Sequence, residues 1–188
     1  NLQAQTSASL EQKLKTAPSN DEKAKLYLQH AQSLNYNNLS EVQNTANKAI
    51  ALSNDDFQTQ ADALQLIGNC HIIKGNYQEA KKTFQKIELL YKNKLPENQV
   101  GLIKTYGSLG VVASEQNNYH EAIYFYLKGL SIAEKIKDTN LLIVLHNNMG
   151  VIYRDTKQPE KAALSFQKSA KLQQETNDNN AGITFTNL

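Results

Sequence analysis

Three stretches of this chain align without a gap when each is set on a glycine: LQLIGNCHIIKGNYQEAKKTFQKIELL (64–90), YGSLGVVASEQNNYHEAIYFYLKGLSI (106–132) and HNNMGVIYRDTKQPEKAALSFQKSAKL (146–172). Each has an aliphatic residue or Met before the glycine (Ile67, Leu109, Met149) and a small residue twelve positions after it (Ala80, Ala122, Ala162). Four positions further on comes an aromatic one (Phe84, Tyr126, Phe166). Within each stretch a turn, Gly75-Asn76, Asn117-Asn118 or Lys157-Gln158-Pro159, separates two segments of helical periodicity. A repeated helix pair cannot bury its apolar face alone, so neighbouring pairs must stack on one another. Only 3 Pro and 8 Gly interrupt 188 residues otherwise rich in good helix formers. The expected class is therefore all-α, a stack of antiparallel helix pairs with no strand.

The Leu-Gly pair, the turn aromatics Tyr77 and Tyr119, and Ala-x-x-x-aromatic in the second segment resemble the tetratricopeptide repeat. Pro159 replaces the turn aromatic in the third match, at the start of a helix, where proline is tolerated. The resemblance implies a right-handed α-α solenoid in which glycine and alanine allow close helix approach and the aromatic fills the space beneath the next repeat. Gly68 to Gly110 is 42 residues and Gly110 to Gly150 is 40, against about 34 for the commonest form of the repeat. The surplus is expected between units, around Leu95-Pro96-Glu97 and Lys137-Asp138-Thr139-Asn140, lengthening the helices by about a turn each. Long units of this kind resemble those of peptide-sensing bacterial regulators and of cargo and polarity adaptors.

The expected organisation is a short capping helix in 1–18 (Leu10 and Leu14, stopped by Pro18), a degenerate unit over 19–60, and units over 61–102, 103–142 and 143–180. In the degenerate unit Ala31 takes the glycine slot and Ala46-x-x-Ala49-Ile50-x-Leu52 forms the tightly packing helix. Residues 181–188 align with 142–149, so the chain is read as stopping inside a further unit, a fragment of a longer protein. An unpaired apolar helix there would favour pairing of two chains into a homodimer. Asn1-Leu2-Gln3-Ala4-Gln5 is compatible with the remnant of a secretory signal, giving an exported, periplasmic protein, and equally with an ordinary N-terminus in the cytoplasm; export is preferred.

In solenoids of this family, first helices line a concave groove that takes a protein or peptide ligand. The resemblance places Asp62, Gln65, Asn69, Ile72 and Ile73 there in the first clear unit. The second contributes Lys104, Gly107, Ser108, Val111, Ser114 and Glu115, and the third Val144, Asn147, Asn148, Val151, Arg154 and Asp155. Asn69, Asn147, Asn148 and Asn187 each offer a carbonyl and an amide, the pair needed to hold a peptide unit irrespective of its side chain. The family's carboxylate-clamping set is incomplete: Lys104, Asn69 and Arg154 occupy its slots, but Gln65 and Asn148 stand where Lys and Arg would be.

The formal net charge is +2 and Lys alternates with Glu and Asp, so no basic patch recruits nucleic acid. No apolar run reaches the length of a membrane span. The single cysteine, Cys70, excludes an internal disulfide. Cys70 and His71 are adjacent, hence roughly 100° apart on a helix and not a chelating pair; His71 is expected to be a half-buried core residue. No nucleophile elbow, phosphate-binding loop or convergent carboxylate pair is present, so no catalysis and no cofactor or metal is expected in this stretch. Tyr91, Tyr106, Tyr124 and Tyr126 are read as core or groove-edge packing, not a base-stacking platform. The long-unit resemblance implies the N-terminal sensor and interaction region of a larger bacterial signalling protein, preceding a histidine kinase or DNA-binding output domain. A free-standing adaptor that assembles envelope or cytosolic complexes is the alternative.

Overall fold

A computed structural model describes residues 10–34, 36–54, 56–93 and 98–176. The proposed signal remnant at 1–5, the junction at 95–97 and the helix anticipated at 180–188 lie outside them. Every regular element among the described residues is helical. Helix α1 spans 10–16, with Leu10 and Leu14 half-buried and the rest of its surface exposed, as a capping helix requires. There follow α2 (Asn20–Ser33), a 3₁₀ turn (Tyr36–Asn38), α3 (Leu39–Leu52), α4 (Phe57–Ile73) and α5 (Tyr77–Lys92). The second half comprises α6 (Gln99–Glu115), α7 (Tyr119–Ile136), α8 (Thr139–Asp155) and α9 (Pro159–Glu175).

The chain forms two compact units, Asn1–Leu90 and Tyr91–Leu188. In the first, α3 packs on both α2 and α4, around Leu28, Ala31, Ala46, Ala49, Ala63 and Ile67. Ala31, in the slot where later units carry glycine, is 1% exposed. In the second, α6 pairs with α7 and α8 with α9, and α7 and α8 join the pairs around Ile103, Tyr126, Leu130, Leu145, Met149 and Ile152.

The turns follow one recipe. At Gly75, Asn117 and Lys157 the backbone turns left-handed (φ 72°, 57° and 58°). The next residue's N–H then reaches back to a carbonyl in the last helical turn: Asn76 to His71 (2.8 Å), Asn118 to Ala113 (2.9 Å) and Gln158 to Tyr153 (2.8 Å). Asn118 accepts from the Glu121 N–H and so caps α7, while α9 opens on Pro159 at its first turn. Turns this short force each pair to run antiparallel.

The surplus of the long unit goes into helix at 137–140, as its spacing implied: α7 is 18 residues long and α8 is 17, and only Lys137 (φ 56°) and the cap residue Asp138 separate them. Helices α4, α6 and α8 begin at Phe57, Gln99 and Thr139. The signature aromatic meets its own unit's glycine as well as the next repeat: Tyr126 of α7 shares a core cluster with Leu145, Met149 and Ile152 of α8. A Cβ on Gly68 would stand 2.6 Å from the Phe84 ring, one on Gly110 2.3 Å from Tyr126, and one on Gly150 2.5 Å from Phe166. In each pair the glycine of the first helix is a notch for the ring of the second, and glycine is required because any Cβ would overlap that ring.

Candidate functional site

The faces of α6 and α8 turned away from α7 and α9 carry the residues that the repeat register places in a groove. On α6, Lys104 and Glu115 are exposed, and Ser108, Val111 and Ser114 are half-buried. On α8, Val144 (52% exposed), Arg154 and Asp155 are exposed, and Asn147, Asn148 and Val151 are half-buried. Spacings of three and four residues keep each row on one helix face.

Val111, Ser114 and Glu115 of α6 meet Asn147, Asn148 and Val151 of α8 around a recess of about 310 Å³, with Tyr126 and Ile152 also lining it. Tyr126 is 2% exposed and Ile152 1%, so the base is rigid core. Burial pushes the Tyr126 phenol well above its ordinary value, and the Glu115 carboxylate adds to the shift, so the phenol stays neutral at physiological pH. Two valines supply apolar contact, and two amides, a hydroxyl and a carboxylate supply hydrogen-bonding groups in one opening. Tyr126 and Ile152 were not among the expected lining residues. The signal for Tyr126 was its repeat position: the ring that fills the Gly110 notch also reaches the base of the recess.

The other predicted positions are not part of this recess. Lys104 and Ser108 lie further along α6, and the Arg154 Nε donates to Asp155 Oδ1 at 3.1 Å. Gln65 and Asn69 are on α4 in the first unit, where the Gln65 amide donates to Asn69 Oδ1 at 3.1 Å and so engages the carbonyl a peptide N–H would use. Cys70 is fully buried and burial raises its thiol pKa. His71 is half-buried, its Nδ1 enclosed without a hydrogen-bond partner. Among the described residues no three His, Cys, Asp or Glu side chains converge on a metal position, and no helix is long and apolar enough to cross a membrane. Tyr91, Tyr106 and Tyr126 are core residues and Tyr124 is 54% exposed.

Family models for the tetratricopeptide repeat match residues 59–135 and 144–176, together more than half of the chain. No curated protein sequence matches it. Among solved structures, the fold is similar to the apo form of RapI (TM-score 0.78, 18% identity, 89% of this chain and 62% of that one). It is similar also to aspartyl phosphate phosphatase F from Bacillus subtilis (0.81, 15%, 93% and 50%) and to BtubC from P. vanneervenii (0.77, 13%, 93% and 73%). The chain thus spans less than two thirds of the length of the first two, and at these identities the likeness concerns the fold. The glycine-notch pairs, the repeated left-handed turns and the family models all identify the same units: the chain belongs to the tetratricopeptide-repeat family of helical protein-interaction scaffolds.

Proposed function

We propose that the chain binds an extended segment of another polypeptide along the first-helix faces, with the α6–α8 recess as its central subsite. The observation that carries this is the convergence of Val111, Ser114, Glu115, Asn147, Asn148 and Val151 on one opening. An extended peptide leaves its backbone N–H and C=O groups unpaired, and paired amides on a rigid base satisfy them without specifying the side chain. Lys104, Ser108 and Arg154 are proposed as further contacts of that ligand in the second unit, and Gln65 and Asn69 as polypeptide-binding residues of the first unit.

The test is selection from a library of linear peptides displayed against the 188-residue chain, followed by titration of the selected peptide. The double variant Asn147→Ala/Asn148→Ala is expected to lose about 0.5–1.5 kcal/mol of binding free energy per amide. Undiminished affinity, with loss instead on changing Lys82 or Lys128 on second helices, would exclude the recess.

At the level of the whole protein, we propose an interaction and sensing region within a larger bacterial signalling protein, of which a periplasmic location is part. Support comes from unit length: α4, α6, α8 and α9 are each 17 residues long, as in the long-unit type that the sequence resembles. Reading the gene onward from Leu188 tests it. A membrane span followed by a kinase or helix-turn-helix pattern supports the proposal; further repeats alone would favour a free-standing adaptor.

A further inference from the structure

The second unit has another concavity, on the side opposite the α6–α8 recess. Its walls are α7, with Leu127, Leu130, Ser131 and Glu134, and α9, with Lys161, Leu164, Ser165 and Lys168. On each wall the four residues follow i, i+3, i+4, i+7 spacing and so form a single stripe. Between the walls α8 contributes His146, Met149 and Tyr153 as a floor, and the enclosed volume is about 490 Å³. Leu130 and Met149 are buried, but Leu127 and Leu164 on the two rims are 51% and 54% exposed. Two large aliphatic side chains therefore face solvent across a floor of Met149, Tyr153 and His146.

The charges around this trough are uneven. Lys161 lies at the Tyr153 end, its Nζ 5.5 Å from that ring's centroid and 2.8 Å from Gln158 Oε1, which fixes it at the rim. Lys168 and Glu134 both act on His146 at the other end. Burial and Lys168 together hold the His146 imidazole below its ordinary pKa, against Glu134, so it adds no charge at neutral pH. Two ammonium groups on the α9 rim thus face one carboxylate on the α7 rim. Seven residues apart, Lys161 and Lys168 are separated by about 10.5 Å along the helix axis.

The polar groups of the lining decide what form of polypeptide can occupy it. Unlike the α6–α8 recess, the trough has no Asn or Gln amide in its lining; its polar groups are two serine hydroxyls, the Tyr153 hydroxyl, the His146 imidazole and the charged rim groups. No side-chain amide is there to pair with both the N–H and the C=O of an extended strand's peptide unit, whereas a helix arrives with its backbone groups already paired. We infer that the α7–α9 trough is a second docking surface, independent of the first-helix recess, for an amphipathic helix of a partner protein. That helix places apolar side chains between Leu127 and Leu164 above Met149 and carries carboxylates seven residues apart along the flank facing Lys161 and Lys168.

The probe is a stapled helical peptide with leucines along one face and two glutamates seven residues apart on its flank, titrated against the 188-residue chain by fluorescence anisotropy. Saturable binding is expected, weakened about tenfold by Lys161→Glu with Lys168→Glu and restored when the probe's glutamates are exchanged for lysines. Both substitutions are at exposed sites, and circular dichroism checks that the variant keeps its helices. Asn147→Ala/Asn148→Ala should leave this binding unchanged, which separates the trough from the recess. No binding, equal affinity for the charge-reversed variant, or equal binding of a proline-broken probe would overturn the inference. So would a concentration-dependent dimer that the two glutamate substitutions dissolve, since a second copy of the chain would then be the occupant.

Discussion

Gly107 and Gly110 share one helix and differ by three positions, yet substitution should move stability in opposite directions. A Cβ on Gly107 meets nothing within 4 Å, whereas one on Gly110 would lie 2.3 Å from Tyr126 Cε1. In a helix interior alanine is favoured over glycine by about 1 kcal/mol. Gly107→Ala should therefore stabilise the chain by about 0.5–1 kcal/mol. At Gly110 the same gain is opposed by overpacking of about 1–3 kcal/mol, because a ring 2% exposed has nowhere to retreat. Urea unfolding of the two variants should bracket the wild type, and a rise in midpoint for Gly110→Ala would remove the notch from the account. The sequence marked Gly110 by its place in the repeat as a point of close helix approach; the structure shows that the Tyr126 ring is what occupies it. His146 makes a second prediction at this scale. Its folded pKa lies below 6.5, so the unfolded chain binds the proton more readily and stability falls as pH drops from 6.5 through the folded value. His146→Gln should flatten that acid-side decline in melting temperature; an unchanged slope would assign it to other groups.

At the scale of elements, the helix ends were legible where turn chemistry is local, and the helix lengths where the repeat spacing exceeds the common one. The Asn117-Asn118 turn and Pro159 mark the starts of α7 and α9, where the structure adds the cap of Asn118 on the Glu121 N–H. At the α7–α8 junction the surplus of the long unit goes into helix, as the spacing of the repeats implied, and only two residues separate α7 from α8. In the structure Lys137 takes the left-handed turn and Asp138, accepting from the Leu141 N–H at 3.0 Å, already caps α8. Asp56 illustrates how such a cap can do more than end a helix. Its carboxylate accepts from the Thr59 N–H (3.0 Å) and hydroxyl (2.9 Å) at the start of α4, and it lies 3.6 Å from Lys25 Nζ on α2. Burial raises the Asp56 pKa, but the Thr59 bonds and Lys25 outweigh it and leave the pKa below 3.8. The resulting stabilisation is complete above 3.8 and is lost as pH falls through the folded value. Asp56→Ala should cost about 0.5–2 kcal/mol at neutral pH, and the deficit relative to wild type should shrink in acid. A deficit independent of pH would mean that the cap acts through packing, not through its charge.

For the whole molecule, the fold was readable because the repeat register specifies which face of every helix is buried, and that information recurs three times. The candidate site was readable only in part: Val111, Asn147, Asn148 and Val151 follow from register alone, whereas Tyr126 and Ile152 enter through packing depth, which a linear pattern does not carry. The same division separates stability from binding. Asn147 and Asn148 are half-buried at the opening, while Ile152, behind them, is 1% exposed and packed in the core of the second unit. Replacing either asparagine by alanine should change unfolding free energy by no more than about 0.5 kcal/mol, as for polar substitutions away from the core. Ile152→Ala should cost about 2–5 kcal/mol through lost burial and the cavity left behind. The measurement is chemical denaturation of all three variants beside the peptide titration. If the asparagine variants proved as unstable as Ile152→Ala, their amides would be structural members of the α6–α8 contact, and the recess would have to bind peptide through its valines and Glu115 alone.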